Sequence, residues 1–181
     1  MRNRKSIRLK GYDYASQGEY FVTICTKNKA CLFGKIFDGK MVLNDCGLLI
    51  NKWWHKIPKK YHHVINIEYI IMPNHVHGII EINKSGGHLG PEIQTGGHLG
   101  PEIQTGGHLG PPLHVVIQWF KTMTTNEYIR NVKTNKWIPF DGRLWQRNYY
   151  EHIIRDETAY ENIKNYIRDN PINWMSDKLN K

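Results

Sequence analysis

Several features that define other protein classes are scarce or missing in this 181-residue sequence. The chain has three cysteines, Cys25, Cys31 and Cys46, and no Cys-x-x-Cys pair, so a disulfide framework is excluded and reduced thiols in the cytoplasm are expected. No run of about 18 apolar residues occurs, so we expect no transmembrane helix and no membrane partner. The basic residues at 1–5 are not followed by an apolar core, so we expect no secretory signal.

Acidic residues are also few, and the excess of positive charge indicates a polyanionic partner. The sequence has 16 Asp and Glu against 25 Lys and Arg, a net charge of +9. Its 6 Trp and 10 Tyr suit single-stranded nucleic acid, on which aromatic rings stack, although they suit a protein core equally well. Residues 1–18 form either a solvated tail or an arm that contacts phosphates. The basic residues of that arm are Arg4, Lys5, Arg8 and Lys10.

A ten-residue unit, Gly-Gly-His-Leu-Gly-Pro-Glu-Ile-Gln-Thr, occurs nearly three times within 85–112. Glycine and proline dominate it, and no apolar period survives, so it cannot bury enough surface to offset the entropy lost on ordering. We interpret 85–112 as a flexible insertion in a single domain that spans 1–181.

The motif Met-Pro-Asn-His-Val-His-Gly, at 72–78, separates two apolar runs that are rich in β-branched residues. Both runs are typical of strands, in which residues two apart point to the same face. His75 and His77 therefore lie side by side, while Val76 points to the core. Two neutral imidazoles on one face can hold a divalent metal, but they can also make only ordinary hydrogen bonds within the sheet.

Alternation, helical periodicity and capping residues predict the remaining elements. The last helix begins after Asp156 and stops before Pro171, and it places Tyr166 and Asn170 one turn apart on one face. A tyrosine at the border of an apolar stripe is usually half-buried packing. The predicted strands are 20–26, 65–72, 76–82 and 149–154, with a hairpin at 37–43; the predicted helices are 46–57, ended by Pro58, 113–131 and 157–170.

The order of three motifs resembles the HUH single-tyrosine transposases, and most closely the REP-associated tyrosine transposases. Met-Pro-Asn-His-Val-His-Gly is followed by a helix, by Leu-Trp-Gln-Arg-Asn-Tyr-Tyr-Glu-His at 144–152, and by Tyr-Ile-Arg-Asp-Asn-Pro at 166–171. The resemblance covers about 8–84 and 113–174. It implies an α+β fold: a ferredoxin-like antiparallel sheet of four to five strands, with helices packed on its faces.

The resemblance also implies a reaction, which is the cleavage and rejoining of single-stranded or hairpin DNA without a small-molecule substrate. Tyr166 would attack a backbone phosphorus and leave a 5′-phosphotyrosine and a free 3′ hydroxyl. His75 and His77 would hold Mg²⁺ or Mn²⁺, with Asn170 in a position where such enzymes often carry Gln as a third ligand. Further expected DNA contacts are Lys121, Gln146 and Arg147.

Several alternatives remain open at this stage. The chain could be a catalytically inactive protein that binds hairpin nucleic acid, or a metal-dependent hydrolase that uses His75, His77 and His152. A replication initiator or relaxase of the wider HUH group is a further reading. Tyr149 and Tyr150 are rival nucleophiles, although neither has a polar residue one helical turn away. The sequence does not decide between a monomer and a homodimer.

Overall fold

The computed structural model of the protein describes residues 17–83 and 110–180, and all structural statements refer to these ranges. They form six strands, four helices and two short 3-10 turns. In chain order these are β1 (Gly18–Cys25), the turn Lys27–Lys29, β2 (Gly34–Phe37), β3 (Lys40–Leu43), α1 (Asp45–Trp54), α2 (Ile57–Lys60), β4 (Val64–Met72), β5 (His75–Ile82), α3 (Leu113–Asn135), β6 (Tyr150–Ile154), α4 (Glu157–Asp169) and the turn Trp174–Ser176.

Four of these strands form an antiparallel sheet in the order β4-β5-β1-β6, while β2 and β3 pair separately as a hairpin. Along the chain the sheet is built as β1, α1, β4, β5, α3 and β6. This is the split βαβ arrangement of ferredoxin-like folds, in which a strand from the second half lies between two strands of the first. The predicted α+β class and sheet type are confirmed.

One side of the sheet, which we call the packed face, carries the alternate residues Tyr20, Val22, Ile24, Val76 and Ile80, all fully buried. Helices α1 and α3 cover this face, and aromatic side chains from both fill the space between layers. The rings of Trp54 and Phe120 meet edge to face with centroids 5.4 Å apart. A Cβ atom at Gly78 would overlap the Trp54 ring, so the close approach requires glycine there.

The opposite side, which we call the site face, carries Phe21, Thr23, His75, His77 and Ile79. Helix α4 contributes Ile167 to a small apolar cluster with Phe21, Ile79 and Ile154. This cluster is much smaller than the core on the packed face. Polar and titratable side chains therefore lie on the site face next to the edge of its apolar packing.

The helix boundaries show two capping residues and correct one prediction. Asn44 and Asp156 cap α1 and α4, because their side chains accept from the backbone N–H groups of Gly47 and Ala159 at 2.9 and 2.8 Å. Pro58 does not end a helix that runs to residue 57: α1 ends at Trp54, and Pro58 lies in the first turn of α2. Proline is tolerated there because the first-turn N–H groups have no helical partner.

Two sequence predictions fall largely outside the described residues. The repeat at 85–112 is described only for its last three residues, where the Pro111 carbonyl lies 3.2 Å from Nε2 of His63. The arm residues Arg4, Lys5, Arg8 and Lys10 are also outside. Among the helices that the structure does describe, none has the length and apolar character needed to cross a bilayer.

Candidate active site

Strand β5 places His75 and His77 on the site face, as the alternation predicts, with their ring centroids 4.4 Å apart. Both side chains are buried. Each ring is oriented by a hydrogen bond at Nδ1, with Asn74 for His75 and with Thr23 for His77, and this leaves Nε2 of each ring to face the site.

The His75 ring is oriented by Asn74. The Asn74 amide nitrogen donates to the carbonyl oxygens of Lys29 and Leu179 at 3.1 and 2.8 Å, so its oxygen faces Nδ1 of His75 at 2.7 Å. Nδ1 must therefore donate the hydrogen bond, and Nε2 keeps a lone pair. That Nε2 atom is buried and has no hydrogen-bond partner within the described ranges.

The His77 ring is held by Thr23, which lies opposite it on β1. The Thr23 hydroxyl is 2.8 Å from Nδ1 of His77. When Nδ1 donates to that hydroxyl, Nε2 of His77 also presents a lone pair, and it faces the Tyr166 hydroxyl at 3.3 Å. Both histidines thus aim Nε2 away from the strand backbone.

Burial keeps both imidazoles neutral. It lowers the pKa of His75 to about 4, even though the nearby Asp177 carboxylate acts in the opposite direction. Burial also lowers the pKa of His77 well below its usual value, and the adjacent His75 adds to the effect. Neutral imidazole is the form that binds metal ions, so the pair is ready to act as ligands at neutral pH.

Helix α4 brings Tyr166 to this pair, with its ring 5.1 Å from His77 and 6.1 Å from Phe21, centroid to centroid. The residue is 47% exposed, so an outside substrate can reach its side chain. Burial of the rest of the side chain raises the pKa of the phenol; Asp177 raises it further, and Asn170 lowers it. Tyr166 is therefore a protonated phenol that needs activation before it can attack.

Asn170 lies just after α4, one turn beyond Tyr166, and its side chain is buried. Its Oδ1 atom has no well-formed hydrogen bond to the described residues. The amide is nevertheless close enough to raise the pKa of His75 and to lower that of Tyr166. The predicted proximity of Tyr166, Asn170 and the two histidines is therefore present.

Asp177 is a member of the site that the sequence did not suggest. One ligand atom from each of His75, His77 and Asp177 lies within 4.8 Å of the others. The Asp177 Oδ1 atom accepts from the Leu179 N–H at 2.7 Å, while Oδ2 is buried and has no hydrogen-bond partner in the described chain. No periodicity marks this residue, because the chain after Pro171 must fold back through the turn Trp174–Ser176 to reach the histidines.

This set of donors fits a divalent cation. Three buried atoms, His75 Nε2, Asn170 Oδ1 and Asp177 Oδ2, have no hydrogen-bond partner among the residues described, and each is a metal-ligating type. A buried polar atom without a partner costs about 1–3 kcal/mol, and a cation bound by all three atoms would offset that cost. Nitrogen and oxygen donors together suit Mn²⁺, and the oxygen donors suit Mg²⁺.

The other predicted residues take different positions. Gln146 and Arg147 are exposed beside the site, and their contact with DNA stays a prediction. The Lys121 amine instead donates to the backbone carbonyls of Gln146 and Asn148 at 3.1 and 3.4 Å, so its contact with DNA phosphate stays a prediction. His152 is exposed on β6 and is outside the cluster formed by His75, His77 and Asp177.

The two rival tyrosines lie next to one another at the start of β6. Tyr150 is exposed, and its ring centroid is 6.3 Å from that of Phe21. Tyr149 is partly buried beneath the amine of Lys121. The hydrogen bond to His77 comes from Tyr166, which makes Tyr166 the better-placed nucleophile of the three.

The fold is similar to that of a solved tyrosine transposase. The structure of a REP-associated tyrosine transposase bound to a REP hairpin is similar to this chain, with a TM-score of 0.55 and 15% sequence identity, over 94% of this chain and 77% of that one. At that identity the likeness is one of fold, and it agrees with the resemblance read from the motifs.

No protein-family profile matches the chain. A protein of Haemophilus influenzae described as uncharacterized is 43% identical over 178 residues, which is 98% of this chain and 93% of that protein. The chain belongs to the same family as this Haemophilus protein.

Proposed function

We propose that the protein is a transposase-type nuclease that cuts and rejoins single-stranded or hairpin DNA, with Tyr166 as its nucleophile. One observation carries the proposal: the Tyr166 hydroxyl lies 3.3 Å from Nε2 of His77, which itself belongs to the cluster with His75 and Asp177. The fold likeness to a transposase solved with a REP hairpin supports the choice of DNA.

The proposed reaction transfers a phosphoryl group between two oxygens. The Tyr166 oxygen forms a bond to phosphorus while the bond from phosphorus to the 3′ oxygen breaks, and that oxygen takes up a proton. The phenolic proton passes to water, which can reach the half-exposed Tyr166 side chain. The product, a 5′-phosphotyrosine, conserves the energy of the broken bond, so attack by a 3′ hydroxyl can rejoin a strand without ATP.

We assign the metal site to His75 and His77 through Nε2, with Asp177 and Asn170 as oxygen donors. Because His77 Nε2 has one lone pair, a bound cation would replace the hydrogen bond between that atom and the Tyr166 hydroxyl. A divalent cation held there would offset negative charge on the phosphate and favour ionisation of the phenol. Asn74 and Thr23 orient the two rings from behind. Whether Mg²⁺ or Mn²⁺ is used, whether the protein forms a dimer, and its cytoplasmic location stay predictions.

The test is a covalent adduct. Mixing the protein with stem–loop DNA that has single-stranded flanks, in the presence of Mn²⁺, is expected to give a protein–DNA band on a denaturing gel. Tyr166→Phe should abolish the band and keep hairpin affinity within several-fold. Tyr150→Phe is the matched control and should retain the band.

Two outcomes would contradict the proposal. An adduct formed by Tyr166→Phe would assign the chemistry to another residue. No adduct across a broad set of hairpins and with either metal, in the presence of tight binding, would favour the inactive binding protein instead.

A further inference from the structure

A cavity of about 750 Å³ opens beside Tyr166 on the site face. This volume falls within the range of about 300–1,000 Å³ that is typical of pockets for small organic groups. Aromatic rings from β1, β6 and α4 form much of its lining, and amide side chains lie at its edge. The rings are Phe21, Tyr149, Tyr150 and Tyr166, and the amides include Gln146 and Asn148. The same cavity also reaches His77, Asn170 and Asp177 of the candidate metal site.

The aromatic wall leaves ring surface open to a ligand. Phe21 is buried at the base, and the rings of Tyr150 and Tyr166 meet it edge on, at interplanar angles of 69° and 85°. Tyr150 is 51% exposed. An exposed aromatic ring on a concave, mostly apolar surface is well suited to stack against a flat partner.

The edge of the cavity is held in place by neighbouring elements. The Gln146 backbone N–H donates to the Cys25 carbonyl at 2.9 Å, and its side chain donates to the Thr26 carbonyl at 3.2 Å. Lys121, from α3, donates to the carbonyls of Gln146 and Asn148. The Asn148 side chain is exposed and makes no hydrogen bond within the described ranges, so its amide is available to the polar edge of a ligand.

A second cleft, of about 530 Å³, adjoins the first and shares Gln146 with it. Four basic side chains contribute to it: Lys27, Lys29, Arg143 and Arg147. Lys27 pairs with Asp141 at 2.7 Å, whereas neither arginine takes part in an ion pair within the described part of the chain. Unpaired guanidinium groups suit phosphate oxygens. An aromatic cavity and a basic cleft thus lie on either side of one residue.

We propose that the aromatic cavity holds one unpaired nucleobase of the strand, stacked on Tyr150, while neighbouring phosphates lie over the basic cleft. A nucleobase fits this arrangement because it is flat and uncharged, and because it carries hydrogen-bonding groups along its edge for Asn148. The inference rests on the function proposed above, and it adds that the protein extracts a specific nucleotide next to the bond that Tyr166 cuts.

The experiment tests whether one base of the DNA contacts the Tyr150 side chain. Stem–loop DNA with oligothymidine flanks is labelled, and its affinity for the Tyr166→Phe protein is measured by fluorescence anisotropy, with a single abasic site moved along each flank. We expect one abasic position to weaken binding roughly 5- to 30-fold, as loss of one stacked base does. Tyr150→Ala, added to the Tyr166→Phe protein, should weaken binding of intact DNA by a similar factor.

The two changes together should weaken binding little more than either alone, because they remove the same contact. The matched control is Phe37→Ala, which removes an aromatic ring of 68% exposure from the separate hairpin and should change affinity less than about twofold. Tyr150→Leu keeps apolar bulk without a flat ring, and it should behave as Tyr150→Ala does. The abasic scan on the intact cavity needs no change at Tyr150, so it remains informative if those variants fold poorly.

Independent effects of the abasic site and Tyr150→Ala would overturn the inference, as would an abasic scan with no sensitive position. The adduct assay separates this result from the proposed function. If the adduct forms but the effects of the abasic site and Tyr150→Ala are independent, only the cavity assignment is refuted. If those effects overlap but no adduct forms, the cavity assignment stands and the proposed nuclease activity is refuted.

Discussion

The packed face and the site face of the same four-stranded sheet differ in what they bury. Between the packed face and the helices that cover it, Trp54 of α1 and Phe120 of α3 are fully buried among apolar neighbours. On the site face, a smaller apolar cluster adjoins two buried histidines and three metal-ligating atoms that have no hydrogen-bond partner within 17–83 and 110–180, whereas the unpartnered Nε1 of Trp54 on the other side is a donor that binds no metal. The difference indicates that the packed face supplies stability and that the site face is arranged for binding and chemistry.

This division has a physical basis in strand alternation. Because neighbouring residues of β1 and β5 point to opposite faces, Val76 stabilises the core while His75 and His77, on either side of it, remain available for ligands. A rigid packed face can hold the histidines in fixed positions even though their own surroundings are unfavourable.

The largest expected difference between the faces is in the free energy of unfolding. Trp54→Ala should lower it by about 3–5 kcal/mol, because a large buried ring is replaced by a cavity. Tyr166→Phe, on the site face, should change it by less than about 1 kcal/mol, since only a partly exposed hydroxyl is lost. Guanidinium denaturation of both variants measures this contrast, and equal losses would contradict the division into two faces.

The next effect concerns Lys121, which reaches from a helix of the packed face to the edge of the cavity. Burial lowers the pKa of its ammonium to about 8, although the nearby Cys25 acts to raise that pKa. The amine lies 5.3 Å from the centroid of the Tyr149 ring. Between about pH 8 and 10.5 the unfolded chain keeps this proton and the folded chain releases it. The free energy of unfolding should therefore rise with pH across that window, by up to about 3 kcal/mol.

Lys121→Met removes this titration, so the variant should lack that rise relative to the wild type. The control is Lys133→Met, which lies on the same helix and should keep it. Urea denaturation at several pH values provides the measurement. A difference between wild type and Lys121→Met that does not change with pH would show that Lys121 titrates normally.

A smaller effect is expected where Thr23 orients His77. Thr23→Val keeps the shape of the side chain but removes the hydroxyl that fixes Nδ1. Loss of such a supporting hydrogen bond typically weakens metal binding about 10- to 100-fold. Calorimetric titration with Mn²⁺ measures this loss, and Thr134→Val, which removes an exposed hydroxyl from α3, is the control. Unchanged Mn²⁺ affinity in Thr23→Val would refute the orienting role.

The smallest effect is expected from the repeat. Deletion of 86–105 removes two whole units and should leave folding intact, because units of this composition bury little apolar surface. The melting temperature should fall by less than about 8 °C, the shift that about 1–2 kcal/mol would produce. Calorimetry of the deleted protein decides this, and a larger fall would mean that the repeat contributes to the core.

Local patterns predicted the parts of the site that depend on one element. Alternation placed His75 and His77 together, and helical spacing aligned Tyr166 with Asn170. In the same way, capping residues located the starts of α1 and α4. Each of these rules acts over a few residues, so the amino-acid sequence contains all the information that they need.

Features that depend on distant contacts were not predicted. Asp177 enters the site because the chain reverses after α4, and nothing in its neighbours marks that reversal. Lys121 was expected to contact DNA, but its amine donates a hydrogen bond to the Gln146 backbone carbonyl, which lies 25 residues further along the chain. The prediction that Pro58 ends a helix was wrong, because proline is equally acceptable in the first turn of a new helix.

The most direct test of the central claim is to locate the covalent bond. Wild-type protein is allowed to react with stem–loop DNA and Mn²⁺, digested with nuclease and trypsin, and analysed by mass spectrometry. The account predicts a nucleotide attached through its 5′ phosphate to the peptide that contains Tyr166. A nucleotide on the peptide with Tyr149 and Tyr150, or product DNA with no protein-bound nucleotide at all, would contradict it.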